Sequence, residues 1–141
     1  MNGKLPLRVA SAVLVLMAAG HTYGFVKFRP PSAAGAAVLD AMNTVTFDVK
    51  GHSYSYGSFY LGFGLTISAY LLIAAYICWY LASLSPAQAK VAAPIAGALA
   101  AAQLASAVLG FRYFSLPPAV LSTVTAACLG WAALQLSRIE A

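Results

Sequence analysis

From Leu65 to Leu84 the chain runs without a single charged residue, Leu-Thr-Ile-Ser-Ala-Tyr-Leu-Leu-Ile-Ala-Ala-Tyr-Ile-Cys-Trp-Tyr-Leu-Ala-Ser-Leu. As a helix rising about 1.5 Å per residue, such a stretch crosses a hydrocarbon layer of about 30 Å. That constrains the fold more than any other feature. Backbone polar groups in lipid must be paired internally, so the run is predicted to be a transmembrane helix. Composition points the same way: 62% of the 141 residues are hydrophobic and 8% are charged, against about 25% charged in soluble domains. Such a chain cannot cover a water-facing surface, and its length fits one integral membrane domain, residues 1–141.

Three more segments fit the same template. The first span is expected at about 7–25, behind Lys4 and Arg8. A rival reading is a cleaved signal peptide, with a basic start and small residues at Ala18-Ala19-Gly20; we expect the segment to stay attached. The second span covers about 58–84, with Tyr76, Trp79 and Tyr80 as interface anchors. The third covers about 91–111 and the fourth about 117–136, entered through Pro117-Pro118, since proline is tolerated in a helix's first turn. Small residues at Ser58, Gly62 and Thr66, and at Ala98, Ala102, Ser106 and Gly110, recur every four positions. They predict close helix packing, or contact with a second copy or a membrane partner. Gln103 is the amide of the third span, and a hydroxyl on Thr66, Ser122 or Thr125 is its expected partner.

Between the first two spans, Pro30-Pro31 ends a helix and Ser32 can cap a new one. Val38, Met42 and Val45 fall at i, i+4 and i+7, with Asp40, Asn43 and Thr44 opposite. At about 33–46 this is too short to span, so it reads as an amphipathic helix lying in the interface. Residues 47–51 turn the chain back. The fold class is therefore all-α: four transmembrane helices in a bundle, with a short interfacial helix between the first and second.

The eight basic and three acidic residues are scattered singly, which excludes a nucleic-acid footprint. Lys4, Arg8, Lys90 and Arg138 fall on one side of the membrane, and Lys27, Arg29, Lys50 and Arg112 on the other. The count ties, so the first helix decides, and both termini are expected on the cytoplasmic side of the membrane. Cys78 and Cys128 lie deep in apolar runs without a CxxC motif, and so read as small core residues.

This topology collects polar groups at one membrane face: His21, Tyr23, Asp48, His52, Tyr54, Tyr56, Tyr60, Arg112 and Tyr113. Each has an ordinary use alone, since tyrosines form aromatic belts and arginine snorkels. Together they predict a pocket, because polar groups near membrane depth face a cavity or a partner. The expected ligand-binding set is His21, Tyr23, Asp48, His52, Tyr56, Tyr60, Arg112 and Tyr113. Two histidines could reach a metal or haem, yet no carboxylate or thiol set completes a shell, and no metal site or other cofactor is firmly implied. Nucleophile elbow, P-loop, HExxH and histidine-box signatures are all missing. A lipid or small lipophilic ligand is the expected occupant. An isomerase or oxidoreductase for a lipophilic substrate, using His21, His52 and Asp48, is the alternative. A structural partner subunit is a second one.

Phe47-Asp48, Gly51, Tyr56, Phe59-Tyr60 and Gly62-Phe63-Gly64-Leu65, followed later by Arg112-Tyr113-Phe114 and Pro117-Pro118, carry a resemblance. In these residues the chain resembles an uncharacterised family of small bacterial four-helix integral membrane proteins, the leptospiral-type hypothetical membrane proteins. The resemblance implies a compact four-helix membrane bundle and no particular activity.

Overall fold

The structure, a computed structural model, describes residues 3–138. Five α-helices run in order: α1 Lys4–Lys27, α2 Ala33–Thr44, α3 Tyr56–Ser83, α4 Ala89–Tyr113 and α5 Leu116–Ser137. Four of them, all but α2, are long and apolar enough to cross a membrane. The four helices cover the expected spans, their ends lying within about three residues of those read from the sequence. Two short strands, β1 Thr46–Val49 and β2 His52–Ser55, lie between α2 and α3. The chain packs as two compact units, Met1–Met17 with Leu71–Ala141, and Ala18–Tyr70.

In the first unit, segments of the four long helices share one core. Leu7, Ala10 and Leu14 of α1 meet Ala75, Cys78, Leu81 and Ala82 of α3, Ala92 and Ala96 of α4, and Leu129, Ala132 and Leu136 of α5. Spacings of three and four keep each set on one helix face. Alanine dominates this core, whereas Leu16, Tyr76, Trp79, Leu104, Trp131 and Leu134 point outward. That arrangement suits lipid, where an exposed leucine costs nothing and helices associate by close backbone approach. Ser11 adds a hydrogen bond to the Ala75 carbonyl at 2.8 Å. At the corner between α4 and α5, a Cβ on Gly110 would lie 3.0 Å from Ala119.

Within the chain, the small-residue stripes are not packing faces, Gly110 excepted. Ala98, Ala102 and Ser106 are exposed, while α4 buries Ala92, Ala96, Gln103, Ala107 and Gly110. Likewise Ser58, Gly62 and Thr66 are exposed, and Gly62 has open space around it. The reason is geometric. Four residues turn a helix by 400°, so a strict four-residue repeat drifts about 40° per step off any seam. The observed faces alternate threes and fours. Gln103 also departs from expectation: it is buried, but among the described residues its Oε1 has no hydrogen-bond partner, and neither Thr66, Ser122 nor Thr125 supplies one.

In the second unit, the Ser32 hydroxyl caps α2 by accepting from the Gly35 amide at 3.1 Å. Gly35, Leu39 and Met42 are the partly buried positions of α2, and Val38 and Val45 of the expected apolar face are exposed, as an apolar face turned to a lipid interface would be. Asn43, expected on the outer polar side, packs its side-chain oxygen where a Cβ on Gly57 would sit. Residues 47–51 do turn the chain, but as part of a hairpin. Val49 pairs with His52 across Lys50 (φ 49°) and Gly51 (φ 84°). Two successive positive φ values match the primed turn whose twist suits a two-residue hairpin. Ser55 then caps α3, its hydroxyl accepting from the Ser58 amide at 3.0 Å.

Candidate functional site

The second unit holds six of the eight expected ligand-binding residues, in two groups. The first forms where α1 crosses α3. His21 Nε2 lies 3.1 Å from the Gly64 carbonyl oxygen, and because a carbonyl only accepts, Nε2 carries the proton. One turn further on, Phe25 stacks on the His21 ring with centroids 5.7 Å apart, and packs at a tilt against Tyr60 at 4.7 Å. Phe25 also fills the space a Gly64 side chain would need, with ring atoms 2.6–2.8 Å from an ideal Cβ. Glycine at 64 therefore does two things at once. It admits the phenyl ring, and it brings its carbonyl within reach of the imidazole.

Beside this contact, the Thr22 hydroxyl lies 2.8 Å from the Ala18 carbonyl and 2.7 Å from the Ser68 hydroxyl. Ser68 is buried and its hydroxyl in turn approaches the Gly64 carbonyl at 3.4 Å. Two polar side chains, His21 and Ser68, thus meet at one main-chain oxygen inside a helix pair, and Thr22 joins them through Ser68. His21 is half-buried and lies six residues before the end of α1, about 9 Å along the axis.

The second group is an aromatic cluster on the hairpin and the start of α3. Phe47 is its hub, packed against Tyr56 at 4.8 Å, Phe59 at 5.9 Å and Tyr54 at 6.3 Å. Phe59 continues it to Phe63 at 4.9 Å. Register divides the hairpin. Directly opposed residues share a face and successive ones alternate, so Phe47, Val49, His52 and Tyr54 lie on one face and Asp48 with Ser53 on the other. His52 and Asp48 therefore point to opposite sides of the ribbon and do not form an acid–base pair within it. Both are exposed. His52 lies 6.5 Å from Tyr54, ring to ring. Tyr23 is 71% exposed, pointing away from the α1–α3 contact.

Arg112 and Tyr113 belong to the first unit, at the last turn of α4. The guanidinium stands 5.9 Å above the centre of the Tyr113 ring, a cation–π contact. Among the described residues, no three His, Cys, Asp or Glu side chains come together as metal ligands.

Sequence reasoning missed Thr22, Phe25, Gly64 and Ser68. The signal was available: His21/Phe25 and Gly64/Ser68 are both i,i+4 pairs, each on one face of its helix. Comparison with known proteins finds no matching family, curated relative or solved structure.

Proposed function

We propose that this is a bacterial inner-membrane protein, multi-pass with both termini in the cytoplasm, whose unit Ala18–Tyr70 binds a lipid or small lipophilic molecule. The observation that carries the reading is the committed proton of His21. With Nε2–H given to the Gly64 carbonyl, Nδ1 is the ring atom left for a ligand, and in the neutral imidazole it accepts. Phe25 and Tyr60 flank the ring with apolar surface, so the complementary ligand brings a hydroxyl and an apolar body. The hairpin's aromatic face, from Phe47 to Phe63, offers further contact area.

The helix α2 supports the membrane half of the proposal. Its inward side is used by Leu39 and Met42, yet Val38 and Val45 remain 61% and 52% exposed, which suits a helix lying in the lipid interface. The resemblance to small bacterial four-helix membrane proteins supports this setting and adds no activity. Binding is favoured over catalysis because His52 and Asp48 lie on opposite hairpin faces.

The test is native mass spectrometry of the detergent-solubilised full chain titrated with a long-chain alcohol and with the methyl ether of that alcohol. The alcohol should be retained and the ether not, and His21→Phe, which keeps an aromatic ring and loses the acceptor, should abolish the difference. Equal retention of both probes by the wild type overturns the reading.

A further inference from the structure

Between α4 and α5 runs an open groove of about 730 Å³, within the range of about 300–1,000 Å³ typical of small-molecule sites. Its floor is made of small, half-buried residues, Gly97 and Ala100 on α4 and Gly130 and Ala133 on α5, flanked by the exposed Pro94 and Leu134. The protein does not fill this space, since a Cβ on Gly97 or on Gly130 would meet nothing within 4 Å. The two helices are antiparallel, with Gly110 against Ala119 at the corner. Ala93 and Ser137 therefore stand level at the far end, and Ala100 and Gly130 lie seven residues deeper, about 10 Å along the axes. The groove starts at the membrane edge and runs towards the midplane, as an acyl chain does.

The edge where it opens is basic. Gly3 packs on Leu136, whose Cγ would lie 2.9 Å from a Cβ there, so the start of α1 brings Lys4 and Arg8 to the same end as Lys90 and Arg138. Of the chain's three acidic residues, Asp40 and Asp48 belong to the other unit, which leaves Glu140 against those four. Basic groups between helices at a membrane edge suit anionic lipid headgroups. At the mouth, Ser137 gives its hydroxyl proton to the Leu134 carbonyl at 3.0 Å. The adjacent, exposed Arg138 is then the side chain that can donate to a phosphate. A second copy is the poorer occupant, because two chains of like orientation meeting here would set Arg138 against Arg138.

We infer that this groove seats one acyl chain of an anionic phospholipid, with the lipid phosphate held by Arg138 at the membrane edge. The site lies in the first unit and does not depend on any ligand at His21.

Native mass spectrometry of the full chain in detergent tests this, by titration with phosphatidylglycerol and with phosphatidylcholine of identical acyl chains. One phosphatidylglycerol should be retained in preference to phosphatidylcholine, and equal retention overturns the inference. Arg138→Gln should lower the affinity for phosphatidylglycerol about five-fold, the equivalent of about 1 kcal/mol per basic residue at an anionic headgroup; an unchanged affinity overturns it. Gly97→Leu and Gly130→Leu, tested singly, fill the groove without striking the protein, so each should keep the wild-type melting temperature and lose the preference. Preference surviving in both would mean that the basic edge attracts headgroups with the groove unused. Melting well below wild type in both would place the glycines inside the fold, and either result overturns the inference. So does a wild-type dimer that Gly97→Leu dissociates, with equal retention of the two lipids, which would give the groove to a second copy.

Discussion

Helices α1 and α3 each run through both units, and the chemistry of their packing changes along the way. In the first unit α1 contributes Leu7, Ala10 and Leu14, and α3 contributes Ala75, Cys78, Leu81 and Ala82, to an apolar core. In the second unit the same two helices meet through His21, Thr22, Gly64 and Ser68, with Phe25 seated on the glycine. One end is held by packed leucines and alanines with a single hydrogen bond, Ser11 to the Ala75 carbonyl, the other by several hydrogen bonds and an aromatic ring. In lipid neither gains from the ordinary hydrophobic effect. The contrast is one of chemistry: the first end is packed by apolar side chains, while the second keeps a half-buried imidazole hydrogen-bonded to a main-chain carbonyl.

The largest effect should come from emptying the apolar end. Leu129 is fully buried, and Leu129→Ala is expected to cost about 2 kcal/mol, the low end of the soluble-protein range. The low end applies because the unfolded helix keeps its leucine in lipid, leaving only cavity and lost packing. Chemical unfolding in mixed micelles measures it. A negligible loss would show that this core is loosely packed and the contrast false.

Next comes the aromatic seat. Gly64→Ala places a methyl group within 2.6–2.8 Å of the Phe25 ring, and overpacking of this kind costs about 1–3 kcal/mol. The double variant Phe25→Ala/Gly64→Ala should recover part of the loss, since the ring is the obstacle. If the single variant is neutral, the glycine does not serve as a seat.

How much of this could be read beforehand follows from the same contrast. Spans were legible because an apolar run needs only length to declare itself, and Ser32 announced α2 by its capping position. As packing faces within the chain, Gly62 and Ala102 were misread because they look like packing residues in isolation; which small residue faces a neighbour depends on the crossing of two helices, a long-range fact. The hairpin was missed for a local reason. Lys50-Gly51 is a weaker turn signal than Asn-Gly, yet Lys50 takes up positive φ in front of Gly51. His21 was legible as a polar residue near a membrane face. Its partner was not, because a main-chain carbonyl has no letter in the sequence.

Smaller effects sharpen the polar end. Gly51→Ala puts a Cβ at φ +84° and should cost the hairpin about 1 kcal/mol. The readout is faster amide exchange between Thr46 and Ser55, with the helices unaffected; spread of the change into α1 would mean that the hairpin and helix pair open as one. Thr22→Val removes the hydroxyl 2.7 Å from Ser68. Interhelical hydrogen bonds in membranes average about 0.6 kcal/mol, so a modest loss is expected. A loss several-fold larger would show Thr22, Ser68 and His21 acting as one network around the Gly64 carbonyl.

The smallest expected effect is the most discriminating. Gly62 lies two residues from Gly64 on the same helix, but a Cβ there would meet nothing within 4 Å. Two residues are 200° of helix, so the two glycines face nearly opposite directions. Gly62→Leu should therefore leave the stability of the isolated chain near that of wild type, because leucine against acyl chains is neutral. A small gain is equally consistent, since leucine favours helix over glycine by somewhat under about 1 kcal/mol. The comparison is made twice: once by unfolding in excess detergent, where chains are separate, and once in lipid at high protein density. A loss in detergent would place Gly62 inside the fold and overturn the assigned face of α3. A loss seen only in dense lipid would instead mark Ser58, Gly62 and Thr66 as a surface between copies, leaving the assignment of Gly64 to the Phe25 seat intact.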